Sequence, residues 1–250
     1  MMNPLKVPRL YQYGQKANTH DLLKAIAILL MIIDHIGYYF YPEKLWFPLI
    51  GRGAAPIFYF LVGYTGKVNC RFSLLVYGCI LSVSTALLIT HTFWINILYT
   101  FVMASLLIQY FPAKSTQHSA KVLIFVSLAM LHLILFRYIE YGTSGILIAL
   151  TANWHIHKAR HSAIWLAMSL AFHFIWQAVT FPFIADVNLI FSLVSIGCLY
   201  WIAFNIYQLK TLPCPKPIRI TILALSRYSL EIYFYHLILF QIISMIYLRR

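Results

Sequence analysis

The sequence predicts an all-α fold: a polytopic membrane helical bundle of about nine transmembrane helices. Three observations predict it. First, of 250 residues, 62% are hydrophobic and 10% are charged, whereas a soluble domain carries about 25% charged residues. Second, apolar runs of about 20 residues, the length that crosses a bilayer, recur along the chain. Third, Lys and Arg fall in every other connection between those runs, as they do where one set of loops stays in the cytoplasm. The net charge of +13 therefore reads as loops that flank spans. It is not the footprint of a nucleic-acid binder, and no nucleic-acid partner is expected.

The first run covers residues 22–40, LLKAIAILLMIIDHIGYYF, and is almost continuous Leu, Ile, Ala and Met. Breaks in the apolar pattern place further spans at 49–66, 72–90, 93–111, 122–136, a short one at 142–154, then 162–181 and 187–207. The last apolar stretch, 218–248, is too long for one straight span. It is expected to begin as an interfacial segment through Ser226 and Arg227 and to cross from about Leu230.

Orientation follows from the basic residues. Lys6, Arg9 and Lys16 precede the first span, and Lys67 and Arg71 follow the second. Lys114 and Lys121, Lys158 and Arg160, and Lys210, Lys216 and Arg219 mark later connections on the same side. The alternate connections hold only Glu43 with Lys44, Arg137 with Glu140, and Asp186. The N-terminus is thus expected in the cytoplasm. Arg249 and Arg250 break the alternation if the last helix crosses. The first 21 residues lack an apolar core followed by a small-residue cleavage site, so the first span is expected to be retained. One domain, 1–250, with a cytoplasmic segment at 1–20, is the simplest organisation. Cys70, Cys79, Cys198 and Cys214 form no CxxC pair; they are expected to be small buried hydrophobes, with no metal.

Ionisable residues inside a span are costly, so they usually face the protein interior and serve a function. His35 is the leading candidate, because an imidazole takes and returns a proton near neutral pH. Lys24 lies 11 positions earlier, about three turns plus 20°, so the two share a face about 16 Å apart along the axis. A basic group near the entry and a His deeper on the same face could hold a charged donor and transfer a proton. Asp34 points about 100° away from His35 and is expected to pair with Arg52 or a Lys of another helix. Arg52 stands between Gly51 and Gly53, ahead of Pro56, where backbones can approach and a helix can start; it could hold a phosphate or carboxylate. The competing readings are a buried His that is merely hydrogen-bonded and an Arg that snorkels.

Arg227, Glu231 and His236 form a third cluster in SRYSLEIYFYH. Its plain reading is an i, i+4 salt bridge and a polar contact between helices. Glu140 precedes a run of small residues, Gly142 to Gly145, that suits tight packing or a polar lining. His155, His157 and His161 have metal-like spacing but sit among Lys158 and Arg160, whose charge repels a cation. The chain has no GxSxG, HExxH or P-loop motif.

The runs KAIAILLMIIDHIGYYF, LIGRGAAPIFYFLVGY, EYGTSGIL and LEIYFYHLIL together resemble the TraX family, from about Lys24 to the last span. The most specific parts are Lys24 with Asp34 and His35, and the segment from Gly51 to Pro56. The resemblance implies an inner-membrane enzyme that N-acetylates a pilin, with acetyl-CoA as donor and a pilin or other fimbrial subunit as acceptor. More distantly, the spacing from Lys24 to His35 is similar to the Arg-x10-His of the acyltransferase 3 family, which carries acyl groups across the bilayer. Here Lys replaces the Arg, and the last-span residues are not the usual set.

On this reading Lys24, Arg52 and Arg71 bind the donor, and Glu140, Glu231 and His236 contact the acceptor. His35 deprotonates the acceptor amine or hydroxyl, or takes the acetyl group itself. Arg52 stabilises an oxyanion or a phosphate, and Asp34 orients Arg52 or tunes His35. Two alternatives stay open: O-acetylation of a cell-envelope glycan, and a non-enzymatic accessory of fimbrial assembly.

Overall fold

The computed structural model describes residues 16–66, 72–90, 93–114, 116–180 and 186–248. Arg71, expected to bind the donor, lies outside them, as do the N-terminal Lys6 and Arg9, Lys67, Cys70 and the final arginines. The described residues form a bundle of helices, and seven helical segments are long and apolar enough to cross a membrane.

The first, α1 (Thr19–Phe40), starts where Asn18 accepts from the Asp21 N–H and Asp21 accepts from the Asn18 N–H, a reciprocal cap. The next rod is a pair, α2 (Trp46–Gly51) and α3 (Ala54–Thr65). It is not one uninterrupted helix from Leu49. Pro56 has no N–H to offer the Arg52 carbonyl, and the Gly53 N–H reaches back three residues to the Ile50 carbonyl, so the rod tightens at Arg52 and Gly53. Next, α4 (Phe72–Thr85) runs on through a π-helical turn, Ala86–Thr90.

Two helices are shorter than a bilayer crossing requires. α5 (Ile97–Tyr110) begins four residues late, because Ile95 is extended and pairs with Ile139. α6 (His118–Leu135) leads to α7 (Ser144–Ile156), whose 13 residues extend only about 20 Å. Every residue from Ser144 to Trp154 is buried. α7 is thus a central post inside protein rather than a lipid-facing span. Its small and apolar side chains lie all around its axis, which is the pattern of an enclosed helix.

Close backbone approach seats it. A Cβ at Gly63 would come 2.2 Å from the Ala149 carbonyl oxygen, and one at Gly145 would come 2.0 Å from the Tyr59 ring. α3, α5, α6 and α8 (Ser162–Thr180) surround it. α9 (Val187–Asn205) packs outside α8. Cys79 and Cys198 point outward from the bundle. This corrects the expectation that they are buried: in lipid an apolar thiol has no need of the interior.

The final apolar stretch divides as anticipated. α10 (Lys216–Arg227) is amphipathic and presses Ile222 and Leu223 on Ala17, Leu22 and Ala25. A break at Tyr228 follows, and α11 (Ser229–Leu248) then runs beside α1. The Ser226 hydroxyl donates to Asp21 at 2.8 Å and Lys24 Nζ donates to the Ser226 carbonyl at 3.3 Å, so the break is clamped to the first turns of α1.

Candidate functional site

The first three residues proposed for chemistry come from α1 and the α2–α3 turn. Gly51 crosses α1 so closely that a Cβ there would lie 2.3 Å from Asp34 Cβ and 2.5 Å from its Cα. That crossing sets Arg52 beside Asp34, Nε to Oδ1 at 3.4 Å, with both side chains largely shielded. Asp34 therefore pairs with Arg52, the partner its helical direction allowed. The guanidinium also stands over the Tyr141 ring, 5.4 Å from its centroid, a cation–π contact.

Tyr141 is held in that place by an unusual turn. Its φ is +60°, and Gly142 follows at +51°. The left-handed region is costly for a bulky residue and tends to be retained where the surroundings need it. His132, fully buried on α6, fixes the turn: its Nδ1 accepts the N–H groups of Thr143 at 3.0 Å and Ser144 at 3.2 Å. These are donors that α7 itself cannot satisfy.

Glu140 lies just before the turn. Its Oε2 accepts from the Ile97 N–H at 3.0 Å and from Asn96 Nδ2 at 3.4 Å, so the carboxylate sits at the N-terminus of α5, where negative charge is favoured. Burial pushes its carboxyl above the ordinary range, opposed by the Ile97 N–H and by Arg52. Asn96 caps α5 through the Leu98 N–H at 3.1 Å and donates to the Tyr233 hydroxyl at 2.8 Å.

His35 meets a partner that sequence reasoning did not foresee. Its Nδ1 lies 2.7 Å from Nε2 of His236 on α11; the ring centroids are 5.0 Å apart and the planes 30° from each other, so the two rings meet end to end. His236 was expected to contact substrate; here it contacts His35. Arg227 and Glu231 are not on one continuous helix, since α10 ends at Arg227 and α11 starts at Ser229.

Two cavities converge on these residues. The first, about 380 Å³, is lined near its mouth by His20, Lys24, Thr65, Ser73 and Arg227. The second, about 800 Å³, is lined by Tyr38, Arg52, Trp94, Arg137 and Thr180. Asp34, His35, Glu140, Tyr141 and Tyr233 line both. The first mouth comprises the start of α1 and the end of α3; the second comprises the ends of α1 and α8. The cavities thus extend toward opposite ends of the bundle and share a wall that includes His35. Lys24 and His35 line one cavity, as their shared helix face requires. Glu231 lines the first cavity only.

Asn96, His132, Tyr141 and Tyr233 were missed by sequence reasoning. Only Asn96 carried a signal, an Asn immediately before an apolar run, which is the mark of a helix start. Among the described residues, no group of three or more His, Cys, Asp or Glu side chains could hold a metal ion.

Comparison with known proteins places the chain. A stretch of 101 residues is 39% identical to an uncharacterized protein of Rickettsia prowazekii (strain Madrid E). That match covers 40% of this chain and 41% of the relative, so the chain spans about two fifths of the length of the curated relative it matches. No solved structure matches. The family model described as TraX protein matches residues 19–244, which takes in the whole polar cluster and both cavities; the chain belongs to the TraX family.

Proposed function

We propose that the protein is a membrane acetyltransferase that modifies a pilin or another fimbrial subunit, with acetyl-CoA as donor. Membership of the TraX family supports a role in pilus or fimbrial assembly or modification. The observation that carries the enzymatic reading is that two cavities extending toward opposite ends of the bundle share His35 in their walls. A donor and an acceptor can enter from different ends and share one imidazole. A scaffold has no use for such a junction.

The first cavity suits a nucleotide donor at its mouth. Lys24 and Arg227 supply positive charge for phosphates, and the cavity continues inward to Asp34, His35 and Glu140. Acetyl-CoA would supply the activated acetyl group there. The chain's own residues do the rest. His35 takes the proton from the acceptor nitrogen or oxygen. Arg52, held by Asp34 and by the Tyr141 ring, places a fixed positive charge where an oxyanion develops. Asp34 keeps that guanidinium aimed and prevents an unpaired buried cation. On this reading the mouth with Lys24 faces the cytoplasm of an inner-membrane protein, and the acceptor enters from the other side.

The test is the intact mass of the partner subunit. Cells with the protein should yield acetylated subunit; cells lacking it, or carrying His35→Ala at equal abundance, should not. Unchanged acetylation in the variant would falsify the role of His35. The aromatic wall of the second cavity, with Tyr38, Trp94 and Trp176, also suits a sugar ring. Mass analysis of envelope glycans from the same strains separates the two acceptors by which acetyl mark disappears.

A further inference from the structure

We infer that His236 is a positioning residue that fixes the proton pattern of His35, so that His35 presents a bare Nε2 to the cavity junction. The inference rests on the reading of His35 as the base.

The argument begins at a carbonyl. His236 Nδ1 lies 2.6 Å from the carbonyl oxygen of Ile232, one turn earlier on α11. A carbonyl only accepts, so this nitrogen carries a proton. A neutral imidazole carries one proton, which leaves His236 Nε2 with a lone pair. The 2.7 Å contact between that atom and His35 Nδ1 is then a hydrogen bond only if His35 Nδ1 donates. Neutral His35 is therefore protonated at Nδ1 and bare at Nε2. No described residue hydrogen-bonds Nε2, and the ring lines both cavities. The other tautomer would set two lone pairs against each other and point an N–H, which cannot take a proton, at the junction.

The neighbours hold this arrangement. Tyr39 and Tyr233 flank the His35 ring at 6.5 and 6.2 Å, and Phe240 meets the His236 ring edge-on at 5.4 Å. The charged and titratable groups that share the cavity walls with His35 are His20, Lys24, Arg227 and Glu231 in the first, Tyr38, Tyr39, Arg52 and Arg137 in the second, and Asp34, Glu140, Tyr141 and Tyr233 in both; Asp34 is paired with Arg52 and Glu140 with the Ile97 N–H.

The protons balance through a cycle. When His35 Nε2 takes a proton from the acceptor, the Nδ1 proton moves toward His236 Nε2, and the positive charge spreads over both rings. His236 keeps its Nδ1 proton on Ile232 throughout. When the leaving group takes the proton from His35 Nε2, the shared proton returns to His35 Nδ1, and both rings end as they began. His236 touches no reactant, so its role is exerted through His35 alone.

The test reads the tautomer directly. The full chain, labelled with nitrogen-15 histidine in lipid nanodiscs, is compared with His35→Gln to assign the His35 signals. Wild type should show His35 protonated at Nδ1 and unprotonated at Nε2. His236→Leu removes the acceptor and should give a mixture of tautomers. His236→Gln offers an amide oxygen and should restore the wild-type pattern. In acetyl transfer, His236→Leu should lower kcat at least about tenfold, within the span that base positioning controls, with KM little changed. His236→Gln should recover most of it. Wild-type His35 protonated at Nε2, or an unchanged tautomer in His236→Leu, overturns the inference. The wild-type spectrum alone decides should the Leu variant not fold. Loss of the His35 role with the tautomer as stated would instead overturn the function proposed above.

Discussion

Separating Arg52 from Asp34 should be among the most damaging polar changes in the protein. With Nε and Oδ1 3.4 Å apart, and an effective dielectric of about 20, the attraction is about 5 kcal/mol. That is a ceiling, since the pair also lost its water on burial. Removing one partner abolishes the attraction and strands the other charge, so Arg52→Met and Asp34→Asn should each cost about 3–5 kcal/mol. The double variant leaves no stranded charge and should cost much less than the sum of the two. The coupling energy, read from a double-mutant cycle of denaturant unfolding in detergent micelles, should be at least about 2 kcal/mol. A coupling below about 0.5 kcal/mol, typical of exposed pairs, would show that water screens the two charges. The closed polar junction on which the catalytic reading stands would then be wrong.

Other perturbations address separate parts of the site. Gly51→Ala should destabilise by about 1–3 kcal/mol or more, since its new methyl meets the backbone of Asp34 rather than a yielding side chain; the same unfolding assay reads it. Asn96→Ala should cost about 1–2 kcal/mol, as the α5 cap and the bond to Tyr233 are lost together. His132→Phe should leave two buried N–H groups at the start of α7 without an acceptor, at about 1–3 kcal/mol each, and hydrogen exchange at Thr143 and Ser144 should speed up. Under the proposed acetyl transfer, Lys24→Met should raise KM for acetyl-CoA by on the order of tenfold with kcat nearly unchanged, since a donor-binding group away from the reacting atoms would hold donor and transition state alike. Steady-state kinetics with Lys24→Arg as the charge-retaining control checks this.

The legible parts of the fold are those written locally. Length and hydropathy gave the lipid-crossing helices, and helical arithmetic put Lys24 and His35 on one face. Directional reasoning at Asp34 excluded the neighbouring His35 and left Arg52 or a Lys of another helix, of which the structure uses Arg52. The break at Tyr228 was readable because 218–248 exceeds a bilayer thickness. What stayed hidden depends on crossing geometry. α7 looks like any short apolar run, and only its neighbours reveal that Gly63 and Gly145 let it be walled in. His35 and His236 are 201 positions apart, and nothing in either segment names the other. Glu140 needed the Ile95–Ile139 pairing before it could reach the Ile97 N–H. Yet a common constraint joins these cases. Lipid supplies no hydrogen-bond partners, so every polar group in the spans had to find one inside the protein. The sequence therefore indicated that Asp34, His35 and His236 need partners inside the protein, and that Arg52 could supply one. It could not say where they converge, because that follows from how α1, α2 and α11 cross, and neither the approach of Gly51 to Asp34 nor the seat of α11 beside α1 is written in any one segment.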